Sequence, residues 1–311
     1  MDDTQSLAPR TISSDLVRYL SRYETFLVDL DADLYAIGVI LSGEQVIPGS
    51  KEALNKLRSQ GSRIVYVTNN STTSSSDRFA RLTAAGIASH DDTLYTSGSC
   101  TAAFLLKAQM ESKHRSPVFL IGSQGLEAEL TEQEIAFIGG TDPALERDIT
   151  SEDLKLIADG SALHSDVSAV VVGMDIRINY LKLALASQHL ARGALFLATN
   201  MDASFEAYGA TFPAAGVIAG ALFPYSKRRP RLMGKPDLAM LEVIEQDLKI
   251  DRKTTCMIGD SLDTDMAFAK NGGLGGSILV LSGVTKADDL PNQEGLPDII
   301  IPSIAALAGI N

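Results

Sequence analysis

Cysteine occurs only twice in the 311 residues, as Cys100 and Cys256, far apart and in no C-x-x-C pair. That excludes a disulfide framework and a zinc-ligand cluster, and it points to a reducing compartment. Basic residues are in deficit: 27 Lys and Arg against 39 Asp and Glu leave a formal net charge of −12. A surface of that sign repels a phosphate backbone, so no nucleic-acid partner is expected. A small anionic substrate is still compatible, because a metal ion or a few local cations can reverse the field inside one cleft. No apolar run approaches the length of a membrane span. The opening residues, MDDTQSLAPRTISSD, are acidic and polar where a secretory signal needs a basic patch and an apolar run. The expectation is a cytoplasmic protein with no membrane partner. The G-x-x-x-x-G-K-[ST], G-x-S-x-G and H-E-x-x-H patterns are all missing, and the four histidines are scattered. There is no internal repeat, and no low-complexity tract beyond Ser71 to Ser76, which reads as a helix N-terminus.

What is present describes a soluble globular chain: 45% hydrophobic residues, 21% charged, 25 Gly, 11 Pro and a mean hydropathy of +0.08. At about 150 residues per domain, the length suggests about two domains. Short apolar runs alternate with helical spacings. Phe26 to Val28 and Ile64 to Val67 read as buried strands flanking a helix from Ser50 to Gln60, in which Ala53, Leu54 and Leu57 share a face and Gly61 is the stop. Near the C-terminus the same alternation gives a helix over 236–248, a strand over 254–258, a helix over 263–270 and a strand over 277–281. The intervening stretch has its own apolar runs at Val118 to Ile121, Ala169 to Val172 and Leu195 to Ala198.

This order predicts an α/β protein with a doubly wound, Rossmann-like parallel-sheet core, residues 1–97 and 227–311, into which an α/β cap domain, residues 98–226, is inserted. Pro224 to Pro230 reads as the return hinge, with Arg228, Arg229 and Arg231 solvated on it. The glycine-rich run 271–276 follows a helix and precedes a strand, the reverse of a dinucleotide fingerprint, so it reads as a helix stop.

Ligands of open parallel sheets sit beyond the carboxyl ends of the strands. There the sequence places Asp29 and Asp31, then Thr68, Asn69 and Asn70, then Asp260 with Asp263 and Asp265 close behind. Carboxylates gathered in one crevice repel one another, which favours a bound cation, and a ligand set made only of oxygen favours a hard ion such as Mg²⁺. Asp263 is the expected cap of the helix that follows. Lys235 adds a fixed positive charge and Thr68 a donor, which together make a socket for a tetrahedral dianion. A carboxylate beside that socket can attack phosphorus, so the site reads as phosphoryl transfer.

At these residues the chain resembles the haloacid dehalogenase-like phosphatases, in the branch that contains 4-nitrophenylphosphatase, phosphoglycolate phosphatase and pyridoxal phosphatase. The matching segments are Phe26 to Asp31 (FLVDLD), Val67 to Ser71 (VTNNS), Met233 to Asp237 (MGKPD), Ile258 to Asp265 (IGDSLDTD) and Leu281 to Thr285 (LSGVT). The insert matches at Val118 to Leu126 and Val170 to Asp175. The resemblance implies that Asp29 is the nucleophile and Asp31 the general acid and base, that Thr68 and Lys235 hold phosphate, and that Asn69 helps position phosphate or the attacking carboxylate. It also implies that Asp29, the carbonyl of Asp31 and Asp260 ligate Mg²⁺, with Asp265 bracing them. The insert would be the cap that shapes the leaving-group pocket and carries a homodimer contact, and the substrate would be a small phosphorylated metabolite. The chain departs from the family pattern at Ala32 and Asp33, where the family has Gly and an apolar residue, at a longer loop before Ile47, at Tyr35 and at Ser261. Asp33 opens a rival register in which Asp31 and Asp33 are the acidic pair. The loop also leaves room for a second reading, a family member that binds phosphate ligands or a protein without turnover.

Overall fold

A computed structural model describes residues 14–30, 39–42, 45–290 and 297–309. In chain order its strands are β1 Thr25–Asp29, β2 Leu41–Ser42, β3 Gln45–Val46, β4 Arg63–Thr68, β5 Thr93–Thr96, β6 Val118–Ile121, β7 Phe137–Gly139 and β8 Ala169–Val172. They continue as β9 Leu195–Ala198, β10 Ser204–Ala207, β11 Ala210–Pro213, β12 Arg231–Leu232, β13 Thr255–Gly259, β14 Gly276–Val280 and β15 Ile299–Ile301. A six-stranded sheet runs β15-β14-β13-β1-β4-β5 and a five-stranded sheet runs β12-β9-β8-β6-β7. The fold is α/β and Rossmann-like.

By packing, the chain separates into two compact units, Met1–Tyr66 with Thr83–Thr93 and Ile250–Asn311, and Val67–Leu82 with Leu94–Lys249. In the first unit, β1 pairs in parallel with β13, β13 with β14 and β14 with β15. Every residue of β1 and β13 is buried, as expected for central strands covered on both faces. The helix Ser50–Ser59 buries Ala53, Leu54 and Leu57, and the chain turns out of it at Gly61, whose φ of +85° few side chains tolerate. Beneath it, Arg58 binds the buried Asp92 through two guanidinium nitrogens and also reaches the Tyr66 hydroxyl at 3.0 Å.

The second unit shows why its strands read as uninterrupted apolar runs. Val118, Leu120, Ala169, Val171 and Leu197 enter one hydrophobic cluster, while Phe119, Ile121, Val170, Val172, Phe196 and Ala198 enter another. Alternate residues of a strand point to opposite faces, so a sheet with a core on each side needs apolar residues at every position. Helices Ser97–Ser112 and Gln124–Glu132 supply the first cluster, and Tyr180–Ala191 and Ala215–Ser226 the second. Thr96 and Thr150 each close a capping box, and Asn179 caps the helix Tyr180–Ala191 through the Lys182 N–H.

Several expectations shift in detail. Pro224 to Ser226 belong to a helix rather than to a hinge, and β12 pairs with β9, so the second sheet extends past residue 226. Met233 and Ala239 lie in that unit's core. The arginines there are not simply solvated: Arg228 donates to the carbonyls of Leu190 and Ala194, and Arg231 lies 4.5 Å from the centre of the Phe104 ring. The helix expected from Pro236 begins at Ala239, after a cis Lys235–Pro236 bond. The helix expected from Asp263 is a π turn, Leu262–Met266, followed by the α-helix Ala267–Gly272, which stops at Gly273 with φ +62° as the glycine-rich run suggested. No helix among the described residues is long and apolar enough to cross a membrane.

Candidate active site

In the first unit the register Val28↔Ile258 brings the carboxyl ends of β1 and β13 to the same edge, so Asp29 and the residue after Gly259, Asp260, arrive side by side. The π turn that follows adds Asp265. Asp29, Asp260 and Asp265 are exposed by only 3%, 2% and 1%, and each offers an oxygen within 4.8 Å of the others.

The cluster is held by backbone donors. Asp265 Oδ2 accepts the N–H groups of Asp260 at 3.0 Å and Ser261 at 3.1 Å. Asp260 Oδ2 accepts the Val284 N–H at 2.9 Å, and its carbonyl accepts the Thr285 N–H at 2.9 Å. These last contacts give the Leu281 to Thr285 segment a task that its residue types do not announce, since the bonds come from the main chain. Gly283 is required there, because a Cβ would overlap the Asp260 carboxylate. Ser261, not Asp263, caps the turn: its hydroxyl accepts the Thr264 N–H, and Asp263 stays exposed.

Three ionised carboxylates at this spacing repel by about 3–4 kcal/mol per pair at an effective dielectric of 20. Backbone N–H groups relieve part of that. The donor set is all oxygen, anionic and buried, which fits a hard dication and fits soft or tetrahedral metal chemistry poorly. Thiolate chemistry is disfavoured, since Cys100 and Cys256 are free, buried and pushed well above the usual thiol range by burial.

In the second unit, Thr68 is buried and its Oγ1 accepts the Asn70 N–H at 3.0 Å, which leaves the hydroxyl proton for another acceptor. Asn70 Oδ1 in turn accepts from Thr72, closing the turn into the helix Ser75–Ala84, as the Ser/Thr run suggested. Asn69 does something the sequence reading missed. Its Oδ1 accepts the Lys235 N–H at 2.8 Å, its Nδ2 donates to the Lys235 carbonyl at 3.0 Å and also reaches Asp202 at 3.3 Å. The Asn69 carbonyl takes the Ser97 hydroxyl and the Asn200 amide. The side chain expected on phosphate is thus engaged with the Lys235 backbone. No pattern in the sequence signals a pairing so distant along the chain.

Lys235 is 3% exposed, and Gly234 before it has no room for a Cβ against Asn69 Oδ1 and the Thr199 carbonyl. Asp31, Ala32, Asp33 and Tyr35 lie outside the described residues.

Comparisons with known proteins identify the family. Residues 28–136 match a model described as haloacid dehalogenase-like hydrolase, and residues 232–307 match a HAD-hydrolase-like model. The 4-nitrophenylphosphatase of Schizosaccharomyces pombe is 37% identical over 93% of this chain and 95% of its own length. Phosphoglycolate phosphatase 1A, chloroplastic, of Arabidopsis thaliana is 32% identical over 94% of this chain and 78% of its own. The crystal structure of 4-nitrophenylphosphatase from Thermotoga maritima superposes with a TM-score of 0.74 at 28% identity, covering 93% of this chain and 97% of that one.

Proposed function

The chain belongs to the haloacid dehalogenase-like hydrolases and is a phosphatase among them, and from that premise we propose a Mg²⁺-dependent phosphomonoesterase of small phosphorylated metabolites that works through an aspartyl-phosphate. The observation that carries it is the buried meeting of Asp29, Asp260 and Asp265. Asp29 and Asp260, with the carbonyl of Asp31, would hold the ion, and Asp265 braces Asp260 through the backbone. Mg²⁺ bound there supplies positive charge that offsets the negative charge of the carboxylates and of the phosphoryl oxygens.

In the first step an Asp29 oxygen attacks phosphorus and the ester P–O bond breaks, with Asp31 giving its proton to the leaving alkoxide. Asp31 then takes a proton from water, whose oxygen attacks phosphorus and breaks the bond to Asp29, freeing inorganic phosphate. Thr68 donates its hydroxyl proton to a phosphoryl oxygen and Lys235 supplies fixed charge. Asn69 acts through Lys235 instead of touching phosphate. Among the described residues it is Asp29 that joins Asp260 and Asp265, which supports the register with Asp29 as nucleophile.

The relatives favour phosphoglycolate and 4-nitrophenyl phosphate as substrates, and pyridoxal phosphate joins them by family resemblance. Ile176, Tyr180 and Tyr208, exposed on the second unit, support a homodimer contact through the cap, the two free cysteines suit a reducing, cytoplasmic setting, and the charge of −12 speaks against nucleic acid or an anionic membrane as partner. The test is turnover over a panel of these esters. Asp29→Asn should lower kcat by orders of magnitude, each tenfold being about 1.4 kcal/mol of barrier. Exhaustive chelation should abolish activity and Mg²⁺ restore it. Full turnover after chelation, or in Asp29→Asn, would overturn the mechanism.

A further inference from the structure

At the amino ends of β8 and β9 lies a cleft of about 270 Å³. Its lining comes from the turn His164 to Ser168, which leads into β8, and from His189, Arg192, Gly193 and Ala194, where the helix Tyr180–Ala191 turns into β9. This is the far end of the sheet from Thr199, whose carbonyl approaches Gly234 beside Lys235.

His189 is 3% exposed and stacks its ring at 5.2 Å, centre to centre, from Phe119, yet its ring nitrogens bond to no described residue. Arg192 pairs with no carboxylate among the described residues. Asp166 is the acidic group on the lining, and it is already taken by His114 Nε2 at 2.8 Å and the Ser116 hydroxyl at 2.9 Å. The N–H groups of Arg192, Gly193 and Ala194 are closed onto the carbonyls of Gln188, Leu190 and His189. Arg228 brings a second guanidinium to the same turn, held by the carbonyls of Leu190 and Ala194. In a chain of net charge −12, neither of these two guanidiniums meets a carboxylate among the described residues.

Arg192 and the buried imidazole line the same opening, with the Arg192 guanidinium lying beside Gly160 at the end of the helix Ser151–Asp159 and the neighbouring acid engaged elsewhere. A guanidinium and an imidazole are the donors an oxyanion requires. We propose that this cleft binds a small oxyanion, either free phosphate or the phosphoryl group of a small metabolite, between Arg192 and His189. The volume lies at the lower limit of small-molecule pockets and suits a phosphate with few further atoms. Burial, Arg192 and His164 push the His189 imidazole down to about 4, so an empty cleft keeps it neutral. A bound anion opposes all three influences and favours the imidazolium.

The experiment follows the His189 ring by NMR in the metal-free protein, with its resonance assigned by loss in His189→Gln. Inorganic phosphate is titrated at constant ionic strength. Binding predicts a saturable shift, a His189 midpoint raised by about one pH unit, and affinity at least tenfold weaker in Arg192→Gln. Lys235→Ala should leave the shift unchanged, because that residue belongs to the other end of the sheet. A repeat with 2-phosphoglycolate separates the sources: tighter binding than phosphate assigns a metabolite, and equal or weaker binding assigns the free ion. No saturable shift with either probe, an undiminished shift in Arg192→Gln, or its loss in Lys235→Ala would overturn the proposal.

Discussion

The Asn69 side chain meets the Lys235 backbone at both of its polar groups, accepting from the N–H at 2.8 Å and donating to the carbonyl at 3.0 Å. A primary amide presents one acceptor and one donor in a plane, the same face that a peptide group offers. Asn69 therefore pairs with Lys235 as a neighbouring strand would, and the lysine leaves this anchor with its main chain fixed.

Removing that anchor should act on Lys235 before it acts on the fold. Asn69→Ala loses two buried hydrogen bonds, at about 1 kcal/mol each in net terms. A melting curve should therefore show a loss of about 2 kcal/mol, while kinetics on 4-nitrophenyl phosphate show a raised KM and a lowered kcat/KM. Asn69→Asp keeps the acceptor and sets a carboxylate against the Lys235 carbonyl and Asp202, so it should be worse than Ala. If both variants matched the parent in KM, the pairing would have no bearing on phosphate.

The acidic cluster should reveal itself without any turnover. Asp260→Asn keeps an oxygen for the Val284 N–H and removes one of three neighbouring charges. In metal-free buffer the variant should be more stable than the parent by about 1 kcal/mol or more, as part of the mutual repulsion is relieved. Adding Mg²⁺ should reverse the order, because an ion at 100 times its Kd stabilises the parent by about 2.7 kcal/mol and should leave the variant nearly unmoved. Equal melting shifts in the two proteins would place the ion elsewhere.

Gly283 tests how closely the backbone is fitted to Asp260. The methyl group of Gly283→Ala has nowhere to go except into the Asp260 carboxylate. Overpacking of this kind costs about 1–3 kcal/mol, and because the displaced group is a proposed ligand, turnover should fall further than stability. Half-saturation by Mg²⁺ in an activity assay should move to higher concentration.

His189 gives the second unit a pH signature. Its imidazole is held at about 4 against 6.5 for a free histidine, so between these values the unfolded chain takes up a proton that the folded chain refuses. Stability from this source is complete above pH 6.5 and drains away as the pH falls toward 4. Screening by solvent at the open cleft limits the loss to about 1–2 kcal/mol. Unfolding by urea at pH 7 and pH 4.5 should show that difference, and His189→Gln should shrink it.

The inner strands of both sheets were legible in the sequence because a strand with a core on each face leaves an unbroken apolar run, as at Val118 to Ile121 and Ala169 to Val172, whereas the edge strands β5, β7, β12 and β15 were not. The meeting of Asp29 with Asp260 follows from two such runs each ending in Asp. What escaped is what depends on distant partners. The two-residue strand Arg231–Leu232 has no periodicity to detect, so the boundary at 226 fell short of the second sheet. Ser261 and Asp263 are equally good caps by type, and only the π turn decides between them. The histidines looked scattered, whereas His114 and His164 both bond Asp166, and His164 and His189 line one cleft.

The pairing of β1 with β13 sets Thr25 opposite Thr255, with most of the chain between them. During synthesis Asp29 thus leaves the ribosome long before Asp260 and Asp265 exist. The second unit, by contrast, is complete once Lys249 has emerged, since it draws on Val67–Leu82 and Leu94–Lys249 alone. The portion that carries Thr68, Asn69 and Lys235 can be assembled while the acidic cluster is still missing two of its three members. A chain cut short before residue 260 accordingly keeps the proposed nucleophile and lacks the carboxylates proposed to seat an ion beside it, so the proposed chemistry would arrive only once that later segment is made.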